Sequence, residues 1–160
     1  YFPANYTAMD LVRFYRNFYP QFRTRFFHEL MEQFHLEENR RIATFSKGMK
    51  KQVLVIIGVC AATKYLFCDE PNSGLDPYTS NIIDDLLMEI TKEYNTTTII
   101  NSHDMNSVME IGENILFLEY GVKAWQGTKE EIFKTDNKAV TDFVYSSNLF
   151  KKVREAYLKG

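Results

Sequence analysis

The stretch Tyr65-Leu66-Phe67-Cys68-Asp69-Glu70-Pro71 limits what this chain can fold into more than any other segment. Four apolar residues stop abruptly at two adjacent carboxylates and a proline. A short apolar run without alternation predicts a strand buried in a parallel sheet. Asp76-Pro77 then opens a helix, with Asp as cap and Pro at the first helical position, and Ile83, Leu86, Leu87 and Ile90 mark its buried face. Residues 96–101 form a second, β-branched strand. Strand, helix, strand at this spacing predicts an α/β domain built on a parallel sheet. Burying an unpartnered carboxylate is costly, so two at a strand's C-terminal edge point to a cation or substrate there, where ligands of open α/β sheets collect. Side chains alternate along an extended chain, so Asp69 and Glu70 are expected to point in different directions. One then holds Mg²⁺ while the other faces a water, a division suited to phosphate hydrolysis. The plainer alternative is a strand that ends in a polar turn.

The flanking sequence reads as mostly helical. Eleven of the 24 aromatic residues fall in the first 35 positions, which marks off an N-terminal helical piece. Thr7 and Asp10 make a capping-box start, followed by Leu11, Phe14, Tyr15 and Phe18 at helical spacing, with Pro20 as the stop. A second helix carries Phe27, Leu30, Met31 and Phe34 and runs to the charged stretch at 37–41. Ser46 caps a third, through Met49, Val53, Ile56, Ile57 and Cys60; its β-branched segment 53–57 reads as strand in isolation, and context favours helix. Downstream, Asp104 caps a short helix, 115–118 and 122–125 flank Gly121 as a hairpin, and Thr128 with Glu131 opens another capped helix. Phe143, Val144, Leu149, Val153 and Tyr157 belong to a helical tail. The expected organisation is a helical subdomain at 1–63, part of an α/β domain at 64–134 and a helical extension at 135–160.

Further chemistry-bearing residues stand in order around the acid pair: Ser46-Lys47-Gly48-Met49 upstream, Ser73-Gly74-Leu75-Asp76 just after it, and His103 behind the second strand. Taken singly, Ser46 and Asp76 are ordinary helix caps and His103 a loop histidine. The ordered set is far more specific than its members. It resembles the ATP-binding cassette (ABC) ATPases: Ser46, Lys47, Gly48 and Met49 stand at the signature motif, Leu66 to Asp69 at the Walker B strand, Glu70 at the catalytic glutamate, Ser73, Gly74 and Asp76 in the D-loop, and His103 at the switch histidine. The resemblance implies a P-loop NTPase-like parallel sheet, incomplete here, with an α-helical signature subdomain. It also implies ATP and Mg²⁺ as cofactors, with Asp69 holding the ion, Glu70 acting on the attacking water and His103 contacting the γ-phosphate. Ser46 at a helix N-terminus offers donors to the γ-phosphate of a nucleotide bound by a second cassette, and Gly48 allows close backbone approach. Asp69 to Pro77, Ser102 to Met109 and the tail from Asp136 look like the Mla-type branch serving lipid traffic, whereas the first 49 residues look more like Gram-positive exporter ATPases.

Two departures from that pattern stand out. Lys47 and Met49 replace a signature glycine and glutamine; Lys47 is neutral if it points to solvent and adds charge near the phosphate if it does not. No G-x-x-x-x-G-K-[ST] is formed by glycines 48, 58, 74, 112, 121, 127 and 160. The isolated chain is therefore expected neither to bind ATP tightly nor to hydrolyse it, and to leave sheet edges uncovered. The implied partners are a second cassette, in a homodimer, and an integral membrane permease, whose coupling helix some N-terminal aromatics would receive; the plainer role for those aromatics is the core of a small helical subdomain. The rival reading is a non-catalytic interaction module that supplies only its signature face. Nineteen Lys and Arg against 21 Asp and Glu, a net charge of −2, give no footprint for nucleic acid, which also sets aside a chromosome-maintenance ATPase. Two cysteines make no disulfide framework, the apolar run at 53–62 is too short for a membrane span and no signal peptide is visible. The expected location is the cytoplasm, peripheral on the inner face of the cell membrane.

Overall fold

The computed structural model describes residues 3, 5–145 and 152. Packing divides the chain into two compact units, Tyr1–Ser102 and His103–Gly160. In the first, α1 (Ala8–Arg16) starts at Thr7, whose hydroxyl accepts from Asp10 N while Asp10 Oδ2 accepts from Thr7 N, so the capping box forms as expected. The helix ends before Pro20 is reached. Asn17 closes it by donating its side-chain amide to Arg13 O and its backbone N–H to Phe14 O. The predicted stripe is buried only in part: Leu11 is inside with Ala8 and Val12 and Tyr15 is half-buried against the core, while Phe14 and Phe18 are 48% and 64% exposed. These two rings cover one another instead, with centroids 5.1 Å apart.

Helix α2 (Thr24–Gln33) buries Phe27, Leu30 and Met31. It stops short of the charged stretch because His35 takes a left-handed φ of 53° and Leu36 N donates back to Met31 O at 2.8 Å. A single 3-10 turn, Ile42–Thr44, leads to α3 (Lys47–Cys60), capped by Ser46. Its β-branched middle is helical, with Val53, Val55, Ile56, Ile57, Val59 and Cys60 all buried, so tertiary burial overrides strand propensity.

Strand β1 (Tyr65–Asp69), helix α4 (Pro77–Glu93) and strand β2 (Thr97–Asn101) form the expected parallel unit. The strands run in register from Tyr65 opposite Thr97 to Asp69 opposite Asn101. Burial on both faces of β1 does not hold. Leu66 packs inward, close to Gly58 of α3, whereas Phe67 is 71% exposed and its neighbour across the ladder, Ile99, 52%. The fold is mixed α/β with small sheets.

In the second unit, α5 (Met105–Ile111) is capped by Asp104, and β3 (Ile115–Glu119) pairs antiparallel with β4 (Val122–Gly127). Tyr120 and Gly121, at φ 49° and 78°, make the two-residue turn. The ladder skips Ala124, a bulge, and Asn137 Nδ2 donates to its carbonyl at 3.0 Å. Thr128 and Glu131 box the start of α6 (Lys129–Ile132), and Asn137 caps α7 (Lys138–Val144). Ile132, Phe133, Val140, Val144 and Tyr145 form this unit's core. Leu149, Val153 and Tyr157 of the expected tail lie outside the described residues. Among the described residues, no helix is long and apolar enough to cross a membrane.

Candidate functional site

The acid pair sits where β1 gives way to a loop. Asp69 is the last strand residue, exposed, and its Oδ1 accepts from Asn101 Nδ2 at 2.7 Å. That bond follows from register, since Asn101 lies directly opposite Asp69 on β2. Glu70 is half-buried and does not continue the strand. Its φ is 50°, so the alternation argument that set its direction against Asp69 does not apply. Its N–H donates to Asn101 O at 2.8 Å and its carbonyl accepts from Ser73 N at 3.1 Å. Leu75 N in turn donates to Asn72 O, closing a turn in which Gly74 has a φ of 80° that a side chain would resist. Asn72 is buried and donates to the buried carboxylate of Asp84 on α4 at 2.8 Å. Asp76 caps α4 and accepts from Thr79 N and Oγ1; the Thr79 hydroxyl, then its N–H, hold the Asp76 carboxyl below its ordinary 3.8.

The first turns of α3 lie against this loop. The Ser46 hydroxyl accepts from Met49 N at 3.1 Å, which leaves its own hydrogen to donate outward. Ser46 and Lys47 are exposed, so Lys47 faces solvent, while Gly48 and Met49 are half-buried. Gly48 was expected to admit a phosphate. The structure gives a nearer reason for a glycine: a Cβ there would stand 3.1 Å from Leu75 Cδ2 and 3.3 Å from Gly74 O. One turn on, Lys51 donates to the Asp69 carbonyl at 3.2 Å.

Ser46 to Met49, Asp69, Glu70, Ser73, Gly74 and Asp76 thus belong to the first unit; His103 is exposed and opens the second. Sequence reasoning missed Lys51, Asn72, Asp84 and Asn101. Asn101 gave no signal, because the strands read from the sequence differ in length and the register that sets it beside Asp69 is seen only in the structure; for Asp84 the signal was a carboxylate in the apolar stripe of α4. Cys68, next to Asp69, and Cys60 on α3 are pushed up to about 11 and about 12 by burial, so both are poor nucleophiles at neutral pH. Among the described residues, no three His, Cys, Asp or Glu side chains gather as a metal cluster. The single exposed carboxylate of Asp69, steadied by Asn101, fits Mg²⁺, which keeps most of its waters and takes one or two carboxylates beside substrate phosphates.

No protein-family model matches the sequence. The chain is 30% identical over 118 residues to the ABC transporter ATP-binding protein YtrB of Bacillus subtilis, covering 74% of this chain and 40% of that protein. It is 33% identical over 105 residues to the methionine import ATP-binding protein MetN 2 of Listeria innocua, covering 66% of this chain and 31% of that one. The chain therefore spans well under half the length of these curated relatives. Its fold matches the ATP-binding subunit of an ABC transporter with a TM-score of 0.73 at 18% identity, over 100% of this chain and 65% of that one. It also matches the cassette MJ0796, dimeric and bound to ADP and Pi, with a TM-score of 0.59 at 24% identity, over 64% and 45%. Sequence and fold point to one class: the chain is similar to a stretch of ATP-binding cassette and has the P-loop NTPase fold. Within that class, these relatives do not support the expected lipid-trafficking branch: they are YtrB and methionine import ATP-binding proteins.

Proposed function

We propose that this chain works as part of an ATP-hydrolysing cassette that pairs head to tail with a second cassette and drives a membrane permease from the cytoplasmic face. What carries the reading is the ordered strand end: Asp69 exposed and steadied by Asn101, Glu70 turned out of the strand, and the Ser46 helix packed on the loop that follows. Bound Mg·ATP supplies the phosphoryl group and the charge that offsets its oxygens. Asp69 holds the ion. Glu70 orients and activates the attacking water, and His103 contacts the γ-phosphate from its loop. Ser46, with the N–H groups of the turn it caps, donates to the γ-phosphate of a nucleotide held by the other cassette, while Lys47 stays in solvent. Ser73, Gly74 and Asp76 shape the loop that keeps the two functions together. Residues 1–63 serve as the signature-bearing helical part, 64–134 as α/β scaffold and 135–160 as its extension.

Complementation tests this. An intact cassette whose own signature serine has been replaced is inactive as a homodimer; adding this chain restores ATP turnover, and adding its Ser46→Arg variant does not. The chain alone gives no turnover. Failure of the wild-type chain to restore activity counts against the reading, as does restoration by the Arg variant.

A further inference from the structure

The peptide unit between Asp69 and Glu70 is gripped on both sides. Its carbonyl accepts from Lys51 Nζ at 3.2 Å, and its N–H donates to Asn101 O at 2.8 Å. The peptide after Glu70 is fixed as well, by the bond from Ser73 N to Glu70 O. Between these two fixed planes lies a backbone torsion that an L-residue with a long side chain disfavours, the Glu70 φ of 50°. Among the described residues of this unit, three others with side chains adopt a similar φ, His35, Ala62 and Asn95, and each stands two positions past the end of a helix, where helix-terminating hydrogen bonds hold it. Glu70 follows a strand, so its conformation comes from tertiary contacts.

One of those contacts brings a side chain to the Asp69–Glu70 peptide, that of Lys51 to the Asp69 carbonyl. Lys51 is half-buried on α3, the helix capped by Ser46. Its neighbour Lys50 bonds elsewhere, to Ala43 O at 3.4 Å. We infer that Lys51 is a positioning residue: by holding the Asp69 carbonyl it keeps Glu70 in the left-handed conformation that aims its carboxylate, and it ties that aim to the seat of the signature helix. The clamp stands on geometry alone; its bearing on hydrolysis rests on the role proposed above for Glu70. A shift of α3 at its Ser46 end would then reach Glu70 of the same chain through one hydrogen bond.

A double-mutant cycle on the full 160-residue chain reads the clamp. Unfolding equilibrium constants come from protease resistance of the chain displayed on yeast, which does not demand high solubility. With Lys51 present, Glu70→Gly removes the backbone strain and lowers the unfolding constant about 5-fold. In Lys51→Met and Lys51→Gln backgrounds the Asp69 carbonyl is released and the torsion at Glu70 relaxes more readily, so the same glycine changes the constant by less than about 2-fold. Lys51→Arg restores the larger effect, and Lys50→Met leaves it untouched. An equal glycine effect in all backgrounds overturns the inference and makes Lys51 an ordinary surface lysine. The cycle does not involve nucleotide, so it stands or falls separately from the complementation assay.

Discussion

The helix ends of the first unit and the end of β1 reach the same left-handed backbone conformation by different routes. After α2, α3 and α4, residues His35, Ala62 and Asn95 turn the chain with bonds closed inside the preceding helix, such as Leu36 N to Met31 O and Thr96 N to Thr91 O. These turns need little from elsewhere. The turn at Glu70 draws on α3 through Lys51, on β2 through Asn101, and on α4 through the Asn72–Asp84 pair beyond it. A conformation that is cheap where it ends a helix has, at the strand end, been assembled from three other elements. Strain held in place by distant residues is a mark of sites that act, and the strand end is where the carboxylates are.

Substitutions at the two kinds of turn test that contrast. The largest effect is expected on turnover: with this chain fused behind the nucleotide-binding loop of a relative, Glu70→Gln lowers kcat by about 10²- to 10⁴-fold, the range of a lost general base. Asp84→Ala comes next. It removes the acceptor that the buried Asn72 amide uses on α4 and costs about 1–3 kcal/mol by chemical denaturation; a neutral result would mean the loop does not depend on α4. At the helix ends the sign reverses: His35→Gly or Ala62→Gly stabilises by about 0.5–1 kcal/mol, since only the local penalty of a side chain at positive φ is removed. The smallest effect is on pH dependence. The Asp76 carboxyl is held below its ordinary 3.8 when folded, so its cap on α4 contributes above that value and is lost as the pH falls through the lowered one. An Asp76→Asn variant should show a flatter acid limb in a pH titration of helicity.

What could be read from the sequence divides along the same line. Helix starts were legible because a cap and its partner are three residues apart: Thr7 with Asp10, Ser46 before Met49, Asp76 before Thr79, Thr128 with Glu131. The strand–helix–strand order was legible from apolar runs and β-branching. The direction of Glu70 was not, because alternation presumes an extended chain and the chain leaves that conformation at this residue. Lys51 and Asp69 are 18 positions apart and Asn101 and Asp69 are 32, separations at which no local pattern speaks. The helix lengths were overread for a related reason: Pro20 and the charges at 37–41 were visible stops, but Asn17 and His35 had already ended those helices through bonds to their own carbonyls. The exposure of Phe67 and Ile99 was likewise hidden, since apolar composition says that a strand seeks cover and not how much of it the chain provides.

The bulge in the hairpin has a consequence for how the second unit comes together. Skipping Ala124 leaves its carbonyl out of the ladder, and Asn137, which caps α7, collects it. A slip by one residue would turn Trp125 to the opposite side and carry that carbonyl out of the asparagine's reach. The alignment of the two strands is thus proofread by a residue still to come in the chain, and a hairpin that zips early in the wrong phase gains nothing when α7 docks.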